Sequence, residues 1–164
     1  MCLKIKLTYL LLIGVALVAL NSCGTKKKVA PEGMRYEDLS SKNIPLEFCI
    51  TSDAMVETTL SGAVEIKAGD SLMISVADGT GNLELFKNDL KGNDVNKLKR
   101  IIFEDASSIF YESAITESEF HFIVVKKKES SVYEIQDIKS ELYDEATAKR
   151  MFDIARAAEV VEGK

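Results

Sequence analysis

Apolar and polar side chains alternate at period two in several short stretches of this chain. The stretches are 46–51, 63–67, 71–76, 83–87, 119–125 and 132–138. Such alternation predicts half-buried β-strands. Parallel neighbours would need crossover connections of about a dozen or more residues, and the spacing here is too tight for repeated crossovers of that kind. The sequence therefore predicts an antiparallel sheet.

Two hairpins are predicted from the residues that separate these stretches. Gly69 and Asp70 lie between the second and third stretches, and such a pair is typical of a tight turn. The polar turn 126–131 separates the last two stretches. Stretch 119–125 is apolar on both faces toward its end, which favours a central strand covered on both sides. A further short strand is indicated at 109–111.

Two helices are predicted from apolar residues at helical spacing, at 94–106 and in the segment that follows Asp144. Asn93 or Asp94 can cap the first helix, and Asp144 can cap the second. The apolar positions are Val95, Leu98, Ile101, Ile102 and Ala106 in the first and Ala148, Met151, Phe152, Ala155 and Ala158 in the second. Segment 52–62 fits either a loop or a ragged helix.

These elements together predict an α+β domain. The expected architecture is an antiparallel sheet of about five to six strands, with both amphipathic helices packed on one face of the sheet. We find no internal repeat and no low-complexity segment in the chain. A single domain of this size can bury a real core.

The N-terminal segment differs from the rest of the chain. Lys4 and Lys6 precede an apolar stretch of 14 residues, 7–20, which contains no charge. A membrane-spanning helix needs about 20 apolar residues, whereas the apolar region of an export signal has about 7–15. The length therefore favours a cleaved export signal over residues 1–22.

The residues that end this segment are Leu20, Asn21, Ser22 and Cys23, followed by Gly24. They resemble a lipobox, the cleavage site of bacterial lipoprotein signal peptides, although Asn21 departs from the commoner Ala, Ser or Thr. The resemblance implies that a lipid is attached to the Cys23 thiol and that the chain is cut between Ser22 and Cys23. The alternatives are an uncleaved signal anchor and an ordinary secretory signal cut near Ser22.

The resemblance implies that residues 1–22 are the signal and that the lipid is on residue 23. Residues 23–43 are polar and show no sustained period, which predicts a flexible tether, and residues 44–164 are predicted to form a single globular domain. One acyl chain binds a membrane marginally, whereas two or more anchor a protein stably. The implied location is the cell envelope, and Gly24 implies the outer membrane if the host has two membranes, because retention in the inner membrane often involves Asp at this position.

Charge restricts the partners of the exported chain. Removal of residues 1–22 takes away Lys4 and Lys6 and no acidic residue, so the formal net charge changes from −5 to −7. Nucleic-acid binding needs clustered Lys and Arg. The acidic balance therefore argues against nucleic acid as a partner.

Cysteine and histidine chemistry is limited by the number of these residues. Cys2 leaves with the signal and Cys23 carries the lipid, so Cys49 is left without a partner for an intramolecular disulfide. Cys49 is predicted to be a small buried residue in a strand. A reactive thiol is the alternative, with His121, the single histidine, as its base. A zinc site with two or more imidazoles cannot form.

Two further patterns contain residue types that can bind ligands or catalyse reactions: a glycine-containing segment and a cluster of acids. Residues 78–82 contain Gly79 and Gly81, but Glu84 occupies the position where a dinucleotide loop has its third glycine, and the distal glutamate of an EF-hand is missing. A hairpin turn is the preferred interpretation. A cluster of acids, Glu112, Glu117 and Glu119, predicts either a solvated acidic face or paired carboxylates for glycoside hydrolysis.

The sequence thus predicts no catalytic, cofactor-binding or metal-binding residue, and no cofactor apart from the covalent lipid on Cys23. The leading hypothesis is a non-enzymatic, lipid-anchored binding or accessory module, whose partners are the membrane and an envelope protein. One alternative is an inhibitor or immunity-type protein that binds a basic toxin or hydrolase. The other is an envelope hydrolase that uses the acidic cluster.

Overall fold

A computed structural model describes residues 28–93, 95, 97–114, 116–138 and 142–162. The predicted signal, the lipobox and Cys23 lie outside these residues. The described strands are β1 Met34–Asp38, β2 Leu46–Thr51, β3 Met55–Thr58, β4 Val64–Ala68, β5 Leu72–Asp78, β6 Lys97–Glu104, β7 Ser108–Ala114, β8 Ser118–Lys128, β9 Ser131–Asp137 and β10 Glu159–Val160. The helices are α1 Leu83–Gly92 and α2 Glu145–Ala157, and a 3-10 turn spans Leu39–Lys42.

The described strands form two sheets. The large sheet has seven strands in the order β3-β4-β5-β9-β8-β7-β6, and the small sheet has three in the order β1-β2-β10. Neighbouring strands are antiparallel throughout both sheets. The predicted α+β class with an antiparallel sheet is therefore confirmed, with more strands than the five or six expected.

Both predicted hairpins are present. Strands β4 and β5 pair with Val64 opposite Val76, and the turn between them contains Gly69 with a φ of 50°. Strands β8 and β9 pair up to Lys128 opposite Ser131. The predicted helix at the C-terminal end of the domain is α2, and its cap is Asp144, whose side chain accepts a hydrogen bond from the Thr147 amide.

The prediction of a strand at 83–87 is wrong, because this segment begins α1. The Asn82 side chain accepts a hydrogen bond from the Leu85 amide at 3.0 Å and caps the helix. Leu83, Phe86 and Leu90 then fall on one face of the helix and pack on the sheet. The alternation over five residues is too short to distinguish a strand from the first turns of a helix.

The prediction of a helix at 94–106 is also wrong, because most of this segment is β6. Two irregularities break its pairing with β7, one between Leu98 and Arg100 and one between Ile101 and Phe103. Each bulge inserts a residue and shifts the alternation of side chains along the strand. The apolar residues of a twice-bulged strand therefore fall at spacings that resemble those of a helix.

The two helices contact strand β7 through residues that are neighbours in sequence. The Phe110 ring stacks on Phe152 of α2 at a centroid distance of 5.3 Å, and the Tyr111 ring meets Phe86 of α1 edge-on at 5.9 Å. Successive side chains of a strand point to opposite faces. The helices thus lie on opposite faces of the large sheet, and the expected packing on one face is not confirmed.

One apolar core joins the two sheets and α2. We call it the shared core. It contains alternate residues of β2, Leu46, Phe48 and Ile50, the α2 residues Ala148, Met151, Phe152 and Ala155, and the inner face of the large sheet, including Val64, Ile66, Ile74, Val76, Phe110, Phe122, Val124 and Ile135. A smaller cluster lies under α1 and contains Ile109, Tyr111 and Ile123.

The small sheet corrects the predicted boundary of the tether. Residues 34–42, assigned to a flexible tether in the sequence analysis, form β1 and the 3-10 turn. Leu39 is fully buried in the shared core, and β1 pairs along its whole length with β2. The folded domain therefore begins earlier than residue 44.

Phe152 should contribute most to stability among the aromatic residues of the shared core. It is 1% exposed, and its ring contacts Phe103, Phe110 and Phe122. We expect Phe152→Ala to lower the free energy of unfolding by about 3–5 kcal/mol, measured by urea denaturation. Phe86→Ala, in the half-buried contact under α1, is the matched control and should cost less. Equal losses would contradict the assignment of the main core.

Candidate functional site

The charged side chains that are most deeply buried in the described structure meet at His121. Its Nδ1 lies 2.7 Å from Asp137 Oδ2, and its Nε2 lies 3.2 Å from Glu119 Oε2. The exposed fractions are 3% for His121, 3% for Asp137 and 8% for Glu119. We call these three side chains the carboxylate–histidine link.

The link lies where β9 separates from β8. The last register pair between these strands is Ile123 opposite Gln136. At the next position, the Phe122 amide donates a hydrogen bond to Asp137 Oδ1 at 2.9 Å. The other oxygen of this carboxylate is the one that contacts His121. Asp137 therefore supplies the acceptor for a buried amide and a counter-charge for the imidazole at the same time.

Tyr111 and α1 cover the link. Tyr111 lies opposite His121 in the pairing of β7 with β8, and their ring centroids are 5.5 Å apart. Tyr111 is 2% exposed, and Phe86 of α1 packs edge-on against it. The link is thus held between the sheet and a helix, away from bulk water.

The electrostatics of the link favour the charged imidazole. Burial by itself lowers the pKa of His121, but the hydrogen bonds and negative charges of Asp137 and Glu119 outweigh burial and raise the pKa above its ordinary value of 6.5. Burial raises the pKa of Tyr111, and the charges of Asp137 and Glu119 raise it further. The phenol of Tyr111 therefore stays neutral.

This arrangement is better suited to structure than to catalysis. A protonated imidazole donates from both nitrogens, and here each nitrogen faces a carboxylate. A general base needs a nitrogen directed at a nucleophile or a substrate. Nε2 faces Glu119 instead of a serine, so a Ser–His–Asp relay is not formed at His121. The geometry therefore favours a structural role for this histidine.

The acidic residues singled out in the sequence do not converge. Glu112 lies opposite Phe120, whereas Glu119 lies opposite Ser113, so the two carboxylates are on opposite faces of the β7–β8 hairpin. Glu112 forms an ion pair with Arg100 at 2.6 Å, which lowers the pKa of this carboxyl. The paired-carboxylate geometry that a glycoside hydrolase needs is therefore not formed by these residues.

Cys49 and His121 do not form a nucleophile–base pair either. Cys49 is half-buried on β2, opposite Tyr36, and lies on the face of the small sheet that points away from the shared core. His121 lies beneath α1 on the far face of the large sheet. Cys49 is thus less buried than the sequence analysis predicted, because it alternates with the core residues Phe48 and Ile50.

The glycine-containing loop before α1 joins β5 to a helix, so the prediction of a hairpin turn at 78–82 is wrong, as is the strand that was expected to follow it. Gly81 has a φ of 65°, and its amide donates to Glu134 Oε1 at 2.9 Å. A Cβ at Gly81 would lie 2.7 Å from Val132 Cγ1. Gly79 is similarly close to the Glu134 side chain. These glycines allow the loop to lie against β9.

Half of the outer face of the large sheet is covered by neither of the helices that the structure describes. This surface, which we call the open face, belongs to β3, β4, β5 and β9, whereas α1 covers β6, β7 and β8. Its side chains are Met55, Glu57, Glu65, Lys67, Ser75, Ala77, Glu134 and Gln136, placed together by the strand register. Small residues lie at its centre and charged residues around them, and Lys67 pairs with Glu65 at 2.5 Å.

The open face contains a shallow cleft. Its volume is about 330 Å³, and it is lined by Glu65, Ser75, Ala77, Glu134, Gln136, Asp137 and Ile138. Asp137 thus connects the cleft to the carboxylate–histidine link. The sequence patterns alone did not predict this surface. The alternating polar residues of β4, β5 and β9 were a usable signal, but which sheet face α1 covers was not readable from them.

Within the described part of the chain, no group of three or more His, Cys, Asp or Glu side chains is arranged to hold a metal ion. Nor is any helix among these residues both long and apolar enough to cross a membrane. A scan against protein-family models, a search of curated proteins and a search of solved structures each returned no match to this chain.

The pKa of His121 can be measured directly because the chain has a single histidine. We expect nuclear magnetic resonance titration of the folded protein to give a pKa above 6.5. Since the folded state binds the proton more tightly, the link stabilises the fold fully below about pH 6.5, and this contribution is lost as the pH rises through the folded-state pKa. The free energy of unfolding should fall over that window.

Glu119→Gln removes one of the two carboxylates and should lower the pKa of His121. Glu117→Gln, two positions away on the exposed turn, is the matched control and should leave it unchanged. A wild-type pKa at or below 6.5 would contradict the charged link.

Proposed function

We propose that this protein is a lipid-anchored cell-envelope lipoprotein whose domain binds another envelope protein and has no catalytic activity of its own. Two lines of evidence support the proposal. The residues Leu20, Asn21, Ser22 and Cys23 resemble a lipobox. The open face offers a sheet surface of mixed polar character, and this face is the single structural observation on which the binding role rests.

The composition of the open face suits a protein partner. Ser75 and Ala77 are short side chains in the middle of the surface, so a partner can approach the sheet closely. Charged residues surround them, as in the polar rim of many interfaces. Five of the seven residues that line the shallow cleft, about 330 Å³ in volume, are polar or charged, whereas pockets that hold small ligands are lined mainly by hydrophobic and aromatic side chains.

The proposed location follows from the N-terminal residues. Attachment of lipid to Cys23 places the domain at the cell envelope, and Gly24 after the cysteine favours the outer membrane if the host has two membranes. The formal charge of −7 for residues 23–164 argues against nucleic acid as the partner.

The anchor is tested by Cys23→Ala. We expect the wild-type protein to fractionate with membranes and to carry a lipid on the N-terminal cysteine by mass spectrometry. The variant should lose the lipid and keep its signal segment. The resemblance implies that Cys23 is the residue that carries the lipid and that the chain is cut immediately before it. An unmodified Cys23 in the wild-type protein would refute the lipoprotein proposal.

The binding face is tested by Ser75→Arg, which places a long charged side chain at the centre of the open face. Crosslinked capture from native membranes should yield a partner with the wild-type protein and lose it at least about tenfold with this variant. Ser131→Arg, at the exposed first residue of β9, is the matched control. Equal loss with both variants, or no loss with Ser75→Arg, would contradict the assignment of this face.

A second candidate function is inhibition of, or immunity to, a basic toxin or hydrolase. The observation that favours it is the excess of acidic residues on the open face, where Glu57, Glu65 and Glu134 face a single cation, Lys67. Electrostatic association of this kind weakens as salt screens the charges. If capture of the partner is unchanged at high salt, the inhibitor hypothesis is contradicted and the binding-module proposal is unaffected.

A further inference from the structure

The chain joins the folded domain on the outer face of the small sheet, at Lys28. Lys28 Nζ contacts Glu47 Oε1 at 2.7 Å and Glu159 Oε2 at 2.6 Å. The same ammonium group lies 5.3 Å from the centroid of the Tyr36 ring. We call this arrangement the Lys28 clamp. It holds Lys28, the first residue that the structure describes, against the small sheet. From here on, the tether means residues 23–27.

The partners of the clamp identify the face on which it sits. Glu47 lies on β2 and Glu159 on β10, and the two are opposite each other in the register. Glu47 alternates along β2 with the fully buried residues Leu46 and Phe48. The clamp is therefore on the side of the small sheet that points away from the shared core. Hydrogen bonds from Lys28 to Glu159 and Glu47 raise the pKa of this ammonium group, so it stays charged.

The length of the chain limits how far this face can be from the lipid. Lys28 is five residues after Cys23. An extended chain spans at most about 3.3–3.6 Å per residue, which gives about 17–18 Å over five residues. Exposed ion pairs are individually weak. The maximum distance between the lipid and the domain is therefore set by the length of the chain, whereas the clamp determines which face of the domain lies near the membrane.

The side chains around the clamp suit the polar boundary of a bilayer. Val29 is 89% exposed, and Tyr36 and Val160 are each 37% exposed. Tyrosine is enriched at the level of the lipid headgroups, where its ring is in an apolar zone and its hydroxyl in a wet one. Lys28 pairs with both Glu47 and Glu159 and neutralises one of the two negative charges that this acidic pair would otherwise present to headgroups.

We infer that the outer face of the small sheet lies against the headgroup surface of the membrane, while the shared core holds the open face on the side turned away from it. This inference rests on the proposed lipidation of Cys23. It adds an orientation that the anchor alone would not impose, because an unclamped tether would let the domain rotate freely.

The orientation can be measured with the full-length lipidated protein in phosphatidylcholine vesicles that contain a nitroxide-labelled headgroup lipid. Cys49→Ser is made throughout, so that an introduced cysteine is the only free thiol. A fluorescent label is placed by Val160→Cys on the small sheet, by Val29→Cys as a second position beside the clamp, and by Lys67→Cys on the open face. We expect quenching at positions 160 and 29 to be several-fold stronger than at 67.

A double variant, Glu47→Gln with Glu159→Gln, tests the clamp itself. It removes both carboxylate partners of Lys28 and should reduce the difference in quenching between positions 160 and 67. Circular dichroism and the unfolding midpoint check that each labelled variant is folded, and the two positions near the clamp give independent readings.

The outcomes separate this inference from the proposed function. Equal quenching at all positions, or stronger quenching at 67, in a protein that binds vesicles through a lipidated Cys23 would overturn the orientation and leave the anchor proposal intact. A wild-type protein whose Cys23 carries no lipid would overturn both. Strong quenching at 160 and 29 that is unchanged in the double variant would overturn the role of the clamp.

Discussion

Packing of α2 between the two sheets is the contact on which the remainder of the fold depends. Met151 and Phe152 are buried in the shared core together with the inner residues of β2 and of the large sheet. Without α2 the inner face of the large sheet would be exposed to water, and the small sheet would have little to pack against. Burial of this apolar area is the dominant stabilising contribution in a domain of this size.

The carboxylate–histidine link supplies a hydrogen-bond acceptor for a backbone amide where β9 separates from β8. A strand that separates from its neighbour leaves backbone amides without acceptors, and Asp137 accepts from one of them, Phe122. The carboxylate is then buried, and His121 Nδ1 lies 2.7 Å from it, so that the imidazole compensates the negative charge when it is protonated. Removing one partner of a buried ion pair is costly, because the other charge is left without compensation. The pH dependence of the free energy of unfolding should therefore arise in part from the link, at the point where β9 separates from β8.

The same layered arrangement gives the domain two different surfaces. Lys28 contacts Glu47 and Glu159 on the outer face of the small sheet, and the described helices leave half of the outer face of the large sheet uncovered on the far side of the shared core. The proposed membrane attachment and the proposed partner-binding surface would then use different residues. This separation is a consequence of topology: strand β2 contributes its inner residues to the core and its outer residues to the clamp.

The sequence by itself determined two kinds of local feature: the antiparallel hairpins around Gly69 and 126–131, and the helix capped by Asp144. The sequence patterns predicted the wrong type for α1 and β6. Five alternating residues do not distinguish the start of a helix from a strand, and two bulges give the apolar residues of β6 a helical spacing. Only the tertiary structure decided which side chains meet. His121, Asp137 and Glu119 come together because β8 and β9 pair and then diverge, and Lys28 finds Glu159 because the chain following α2 returns to β2. Such contacts join residues far apart in sequence, and no local pattern encodes them.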